Sequence, residues 1–167
     1  MKPILLLLGL GLFLNSAAQQ APPRLPARLM QFFAGTWKGA GTFANGKPIA
    51  ATATFTLSLD SSWLQYEHVD VPPNVYKAHS LWGVGNDGNL LAFIFDNFGG
   101  HREFTGRYTA SDAVVLVSTQ MYPGNKKMYQ QFIYQKLSAA TFKMLYVVST
   151  DSVQWQMGDT LIFHRAG

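Results

Sequence analysis

Between residues 35 and 165 the chain repeats one pattern: side chains alternate in character, and the alternation is broken at short intervals by turn residues. The stretch AATATFTLSL, residues 50 to 59, shows it most plainly. Ala51, Ala53, Phe55, Leu57 and Leu59 fall on one face, and Thr52, Thr54, Thr56 and Ser58 on the other. A period of two with one apolar face is a half-buried antiparallel strand. Similar runs occupy 36–43, 63–70, 76–85, 90–97, 102–109, 113–120, 127–137, 141–149 and 156–165. Asn86-Asp87-Gly88 and Asn97-Phe98-Gly99-Gly100 suit tight hairpins, and Pro123-Gly124-Asn125 a slightly longer one. No helix longer than two turns separates any pair of these runs. Ten short strands joined by short turns form an up-and-down meander, which loses its exposed edges by closing on itself. The expected fold is all-β: a single closed antiparallel barrel of about ten strands. A barrel wider than eight strands leaves room for a ligand. Residues 27–34, ARLMQFFA, suit a short helix covering one end.

The N-terminus follows a different rule. Lys2, an apolar run from Ile4 to Leu14, and Ser16-Ala17-Ala18 make a secretory signal pattern. The apolar run is too short to span a bilayer, which takes about 20 residues. The expected division is a signal peptide at 1–18, a proline-rich flexible leader at 19–26, and a barrel domain at 27–167. The mature chain would begin at Gln19, carry no membrane span, and be secreted or periplasmic. The sequence contains no cysteine, which excludes disulfides, thiol catalysis and cysteine-based metal sites. The core must then hold the fold alone, as about 150 residues can. Thirteen basic residues face nine acidic ones, but only Lys126-Lys127 are adjacent. A nucleic-acid partner calls for a basic stripe or cluster, so none is expected.

Glycine weakens a strand, so Gly39 and Gly41 within FFAGTWKGAGTF, residues 32–43, mark a bend or a close approach. They share a face with Trp37 and Phe43. If that face points inward, Trp37 plugs the barrel floor and the glycines either bend the strand or admit a ligand. Phe55, Leu57 and Leu59 read as interior. Lys143 should face water, which turns Phe142, Met144, Tyr146 and Val148 inward. The candidate lining is therefore Trp37, Gly39, Gly41, Phe55, Leu57, Phe142, Met144 and Tyr146, with tyrosine hydroxyls able to orient a ligand.

The GTWKGAG opening resembles the G-x-W-x-G-x-G start of nitrobindin-like barrels and of a neighbouring family of lipocalin-like bacterial proteins. LWGVGNDGNLLAFIFDNFGGHREFTG, residues 81–106, is similar to the middle of that second family. The resemblance implies a ten-stranded barrel of calycin type. The nitrobindin likeness further implies haem held by a histidine of the last strand, where His164 stands in DTLIFHRAG. A neutral histidine in an apolar pocket is a competent iron ligand. A histidine packed at the barrel rim explains the same residue without a cofactor.

Other motifs are weaker. Gly83-Val84-Gly85-Asn86-Asp87-Gly88 matches G-x-G-x-x-G but leads into a strand, so it is a hairpin and not a dinucleotide site. His68 with Asp70, and His101 with Glu103, offer two ligands each, too few for a metal; both pairs are expected at the surface, in water. Asp96, Arg102, Glu103 and Arg107 surround one hairpin and could ring a barrel mouth, where they would contact a small anionic substrate. No G-x-S-x-G elbow occurs. The expectation is a monomeric or weakly dimeric barrel binding a small, mostly apolar ligand, without catalysis or cofactor. Haem at His164, and an enzyme acting at the charged mouth, are the alternatives.

Overall fold

A computed structural model describes residues 23–167. The expected signal peptide and the first half of the leader, residues 19–22, lie outside the described residues. Among the described residues one helix, α1 (Ala27–Phe33), precedes ten strands: β1 (Gly35–Phe43), β2 (Pro48–Ser58), β3 (Trp63–Asp70), β4 (Lys77–Val84), β5 (Leu90–Asp96), β6 (His101–Tyr108), β7 (Ala113–Tyr122), β8 (Lys126–Ser138), β9 (Thr141–Ser149) and β10 (Gln156–Arg165). Each strand pairs antiparallel with its chain neighbours, and β1 pairs with β10, so the sheet is a closed barrel. The alternation that marks the strands also chooses their inner faces. In β3, Leu64, Tyr66, His68 and Asp70 are buried, while the residues between them are more exposed. The glycines of the three expected turns, Gly88, Gly99 and Gly124, all take φ near +80°, a conformation with little steric cost only for glycine.

Helix α1 closes one end. Leu25, Leu29 and Phe33 are buried there against Trp37, Phe55, Trp82 and Phe142. Leu25 belongs to the expected flexible leader, yet it is only 3% exposed, so the leader is docked at its end. Phe33 lies at the centre of the plug, with ring centroids 5.0 Å from Phe55, 5.3 Å from Phe142 and 5.6 Å from Trp82. The Trp37 indole donates to the Phe33 carbonyl at 2.7 Å. Arg165 fastens the helix from outside, donating to the carbonyls of Ala34 and Phe32 with its guanidinium 4.2 Å from the Trp37 ring centroid.

The two glycines of β1 serve the β1–β10 seam. A Cβ on Gly39 would meet the Phe163 ring at 2.5 Å. A Cβ on Gly41 would meet the Thr160 carbonyl oxygen at 1.7 Å. They mark close packing at barrel closure. The alternation of β2 also predicts Leu57 and Leu59 inside. Both are exposed, at 43% and 69%, because β2 runs past the plug and the chain turns at Leu59, Asp60 and Ser61, each with positive φ. Among the described residues no helix is long and apolar enough to cross a membrane.

Candidate functional site

The end opposite α1 holds a cavity of about 450 Å³. The turn between β3 and β4 contributes Pro73, Asn74, Val75 and Tyr76 to its mouth, and Phe98 of the β5–β6 turn faces them. Its depth is set by Tyr66 and Tyr134, the latter packed 4.8 Å from Trp82 of the plug. The interior changes character along its length. Inner positions near α1 are apolar. Inner positions near the mouth are polar: Asp70 ends β3, Asp96 ends β5, Arg102 is second in β6, Gln130 lies early in β8 and Asp159 early in β10.

These polar groups form two sets. In the first, the Tyr66 hydroxyl lies 2.8 Å from His68 Nδ1, and His68 Nε2 lies 2.8 Å from Asp70 Oδ1. A carboxylate only accepts, so Nε2 carries a proton and donates to Asp70, while the direction of the Nδ1–Tyr66 bond follows whether Nδ1 carries a proton. His68 and Asp70 are each 6% exposed, and a buried histidine and carboxylate hold one another in place only as a pair. The surface reading of His68 and Asp70 is therefore corrected: they share the inner face with Leu64 and Tyr66. In the second set, Arg102 donates to Gln130 Oε1 at 3.1 Å and to the Tyr76 hydroxyl at 2.8 Å, and reaches Asp96 at 3.4 Å. The Tyr146 hydroxyl donates to the same Gln130 oxygen at 3.0 Å.

Asp159 belongs to neither set. It lines the cavity, its Oδ1 is buried, and that oxygen has no partner among the described residues. Burial raises its pKa to about 6, with His68 opposing the rise and Asp70 adding to it. The tyrosines respond in kind. Burial raises Tyr66 and Tyr134 well above the usual phenol range, and raises Tyr146 to about 12 despite the nearby Arg102 charge. All four cavity tyrosines, Tyr76 included, carry the phenol proton at neutral pH.

Of the lining residues expected from sequence, Met144 and Tyr146 do line the cavity. Trp37, Phe55 and Phe142 point inward but belong to the plug, and Gly39 and Gly41 are taken up by the β10 seam. Leu57 lies outside. His164 is also outside: it is exposed, 3.3 Å from Thr141 Oγ1, and the inner position beside it is held by the fully buried Phe163. Arg165 has the strand parity of Leu161 and Phe163 but stays exposed, folding over Trp37 at the barrel's end. His164 does not fit an axial ligand to a haem within the barrel. The expected charged cluster divides, with Asp96 and Arg102 paired inside the mouth and Glu103 and Arg107 exposed. His101 and Glu103 are exposed as well. Among the described residues no group of three metal-ligating side chains comes together.

Asp159 escapes a reading of the sequence alone, and His68 and Asp70 are noticed there as a pair but placed in water, yet each obeys the parity of its strand. His68 and Asp70 follow Leu64 and Tyr66 by steps of two, and Asp159 precedes Leu161 and Phe163 in the same way.

No family model and no curated protein matches the chain. Two solved structures are similar to it in outline. One is a redesigned beta barrel, 18% identical, with a TM-score of 0.39 over 84% of this chain and 96% of that one. The other is a redesigned beta barrel bound to DFHBI, 18% identical, with a TM-score of 0.38 over 83% of this chain and all of that one.

Proposed function

We propose that the chain is a small-molecule-binding barrel that holds one mostly apolar ligand in the cavity at its open end, without acting on it chemically. The observation that carries this is the cavity: about 450 Å³, walled by aromatic and aliphatic side chains, closed behind by the α1 plug. Ligand sites are concave, mostly apolar and pre-formed, with a few convergent polar groups that orient the guest. The finer part of the proposal is a lipocalin-like protein, exported on its N-terminal signal and working as a monomer or weak dimer. Mass spectrometry of the exported chain would then give a product starting at Gln19.

The direct test is titration with N-phenyl-1-naphthylamine, an uncharged probe whose emission rises in an apolar pocket. The expected result is saturable one-to-one binding, weakened at least tenfold by Ala78→Trp, which fills the cavity from β4. An interior that refuses this probe and other uncharged ones alike would overturn the proposal.

The Tyr66–His68–Asp70 chain favours one second reading, an enzyme that moves a proton to or from its ligand through His68. In that case ligand recovered after long incubation is altered by the wild-type protein and unaltered by His68→Gln. Ligand recovered unchanged from both leaves the binding reading alone.

A further inference from the structure

We infer, resting on the binding reading above, that the ligand is an organic cation: an apolar body carrying a protonated amine or quaternary ammonium head, seated beside Asp159.

The charges of the cavity point this way. The chain as a whole carries a net charge of +4, yet its cavity is acidic. Asp70 and Asp159 line it, Asp96 stands against Arg102, and Arg102 is the one permanently cationic side chain among the described residues of the lining. His68 is committed to Asp70 on one nitrogen and to Tyr66 on the other. Arg102 commits its two terminal nitrogens to Asp96, Tyr76 and Gln130, and its buried Nε has no partner among the described residues. An anionic head brought to Arg102 would enter a space already holding an excess of carboxylates. A cationic head meets the opposite situation. Among the described residues Asp159 is the cavity carboxylate without a counter-ion, and its buried Oδ1 has no donor. A buried acceptor left unmatched is costly, and an N–H or a cationic head supplies what it lacks.

The walls around Asp159 suit the same guest. Asp159 pairs in register with Tyr146 on β9, and Tyr66 on β3, Tyr76 in the β3–β4 turn and Tyr134 on β8 line the same cavity. Aromatic rings present negative faces to a cation, and ammonium groups are held in aromatic enclosures for that reason. Beyond the head, Ile94, Phe132 and Met144 offer apolar surface to the body.

The binding is pH-dependent. The charged and titratable groups around Asp159 are His68, Asp70 and Tyr66 on β3, Tyr76, Tyr134 and Tyr146, with Arg102 across the cavity on β6. Asp159 takes up its proton as the pH falls through about 6, and the cation then loses its partner.

The test uses three probes with one body: naphthylethylamine, naphthylethanol and naphthylpropionate, each titrated calorimetrically into the mature chain. At pH 7.5 the amine is expected to bind about tenfold or more tighter than the alcohol, and the propionate weakest, as a desolvated charge pair requires. Asp159→Asn should remove the amine's advantage while leaving alcohol affinity within about threefold. Lowering the pH of the wild type to 5 should weaken the amine and spare the alcohol, a result that needs no variant. Three equal affinities, a preferred propionate, or an amine preference that survives Asp159→Asn would overturn the inference and leave the binding reading intact. Failure of all three probes together with N-phenyl-1-naphthylamine would bring down both.

Discussion

Asp159 costs the fold stability in proportion to how far burial raises its pKa. In the unfolded chain an aspartate titrates near 3.8, and here it titrates at about 6. The native state therefore binds the proton more tightly, and the sign follows. Above pH 6 the penalty is fully present; as pH falls from 6 towards 3.8 it is relieved. Asp159→Asn is then expected to stabilise the protein by about 2 kcal/mol at pH 7. That figure takes about 1.4 kcal/mol for each pH unit separating the native and unfolded titrations, less a discount for partial exposure. Urea melts at pH 7 and pH 4 should show the gain at the first and little at the second; an equal gain at both would mean the charge is not its source. A residue that costs stability and lines a cavity is what a binding function retains at the expense of the fold. Asp159, His68 and Asp70 are legible in principle, because strand parity places them beside buried neighbours. Asp159 is passed over, and His68 and Asp70 are assigned to the surface, because a polar side chain in a strand is by default given to water, and a barrel with a polar mouth breaks that default.

The element that most needs its tertiary partners is α1. Seven residues make a helix too short to hold alone, and no side chain among the described residues caps its N-terminus. It persists because Leu29 and Phe33 enter the barrel and Arg165 fixes its last carbonyls. Phe33→Ala should cost about 3–5 kcal/mol in chemical denaturation, the range for removing a buried phenylalanine, and should shift the emission of Trp37 and Trp82 to the red. A loss under about 1 kcal/mol would show that the plug contributes little. The strands themselves are legible to within a few residues, since their period and turns are local properties. Leu57 shows where local reading ends. Its alternation with Phe55 is perfect, and only the position of the plug, which the sequence of β2 does not contain, decides that the interior stops at Phe55. His164 shows the same limit from the other side: the ambiguity between Ile162–His164 and Leu161–Phe163–Arg165 is settled by Arg165 reaching across to α1.

At the scale of the molecule, closure is what turns ten strands into a cavity, and closure depends on the β1–β10 seam. Seven residue pairs from Trp37↔Arg165 to Phe43↔Asp159 join the two strands, so the seam that closes the barrel also carries Asp159 to the mouth. Gly41→Ala would push a methyl into the Thr160 carbonyl, one residue from Asp159. It should cost about 3 kcal/mol or more, and weaken probe binding in the fraction that remains folded, as read by denaturation and by titration on the same sample. Unchanged stability would mean that the seam has slack there.

Ligand and fold are linked through the same cavity. A molecule that binds only the native barrel stabilises it by mass action, about 2.7 kcal/mol at a hundred times its dissociation constant. For a chain of this length that raises the melting temperature by roughly 5–10 °C. Naphthylethylamine should produce this shift at pH 7.5 and a much smaller one at pH 5, where Asp159 has taken up its proton. Asp159→Asn should melt higher than the wild type without the amine and gain less from adding it, so the two melting curves draw together as amine is added. Shifts of equal size in both proteins would place the amine away from Asp159. A shift in neither, with titration still showing binding, would mean the native barrel and the unfolded chain take up the amine equally, and the cavity would then not be its site.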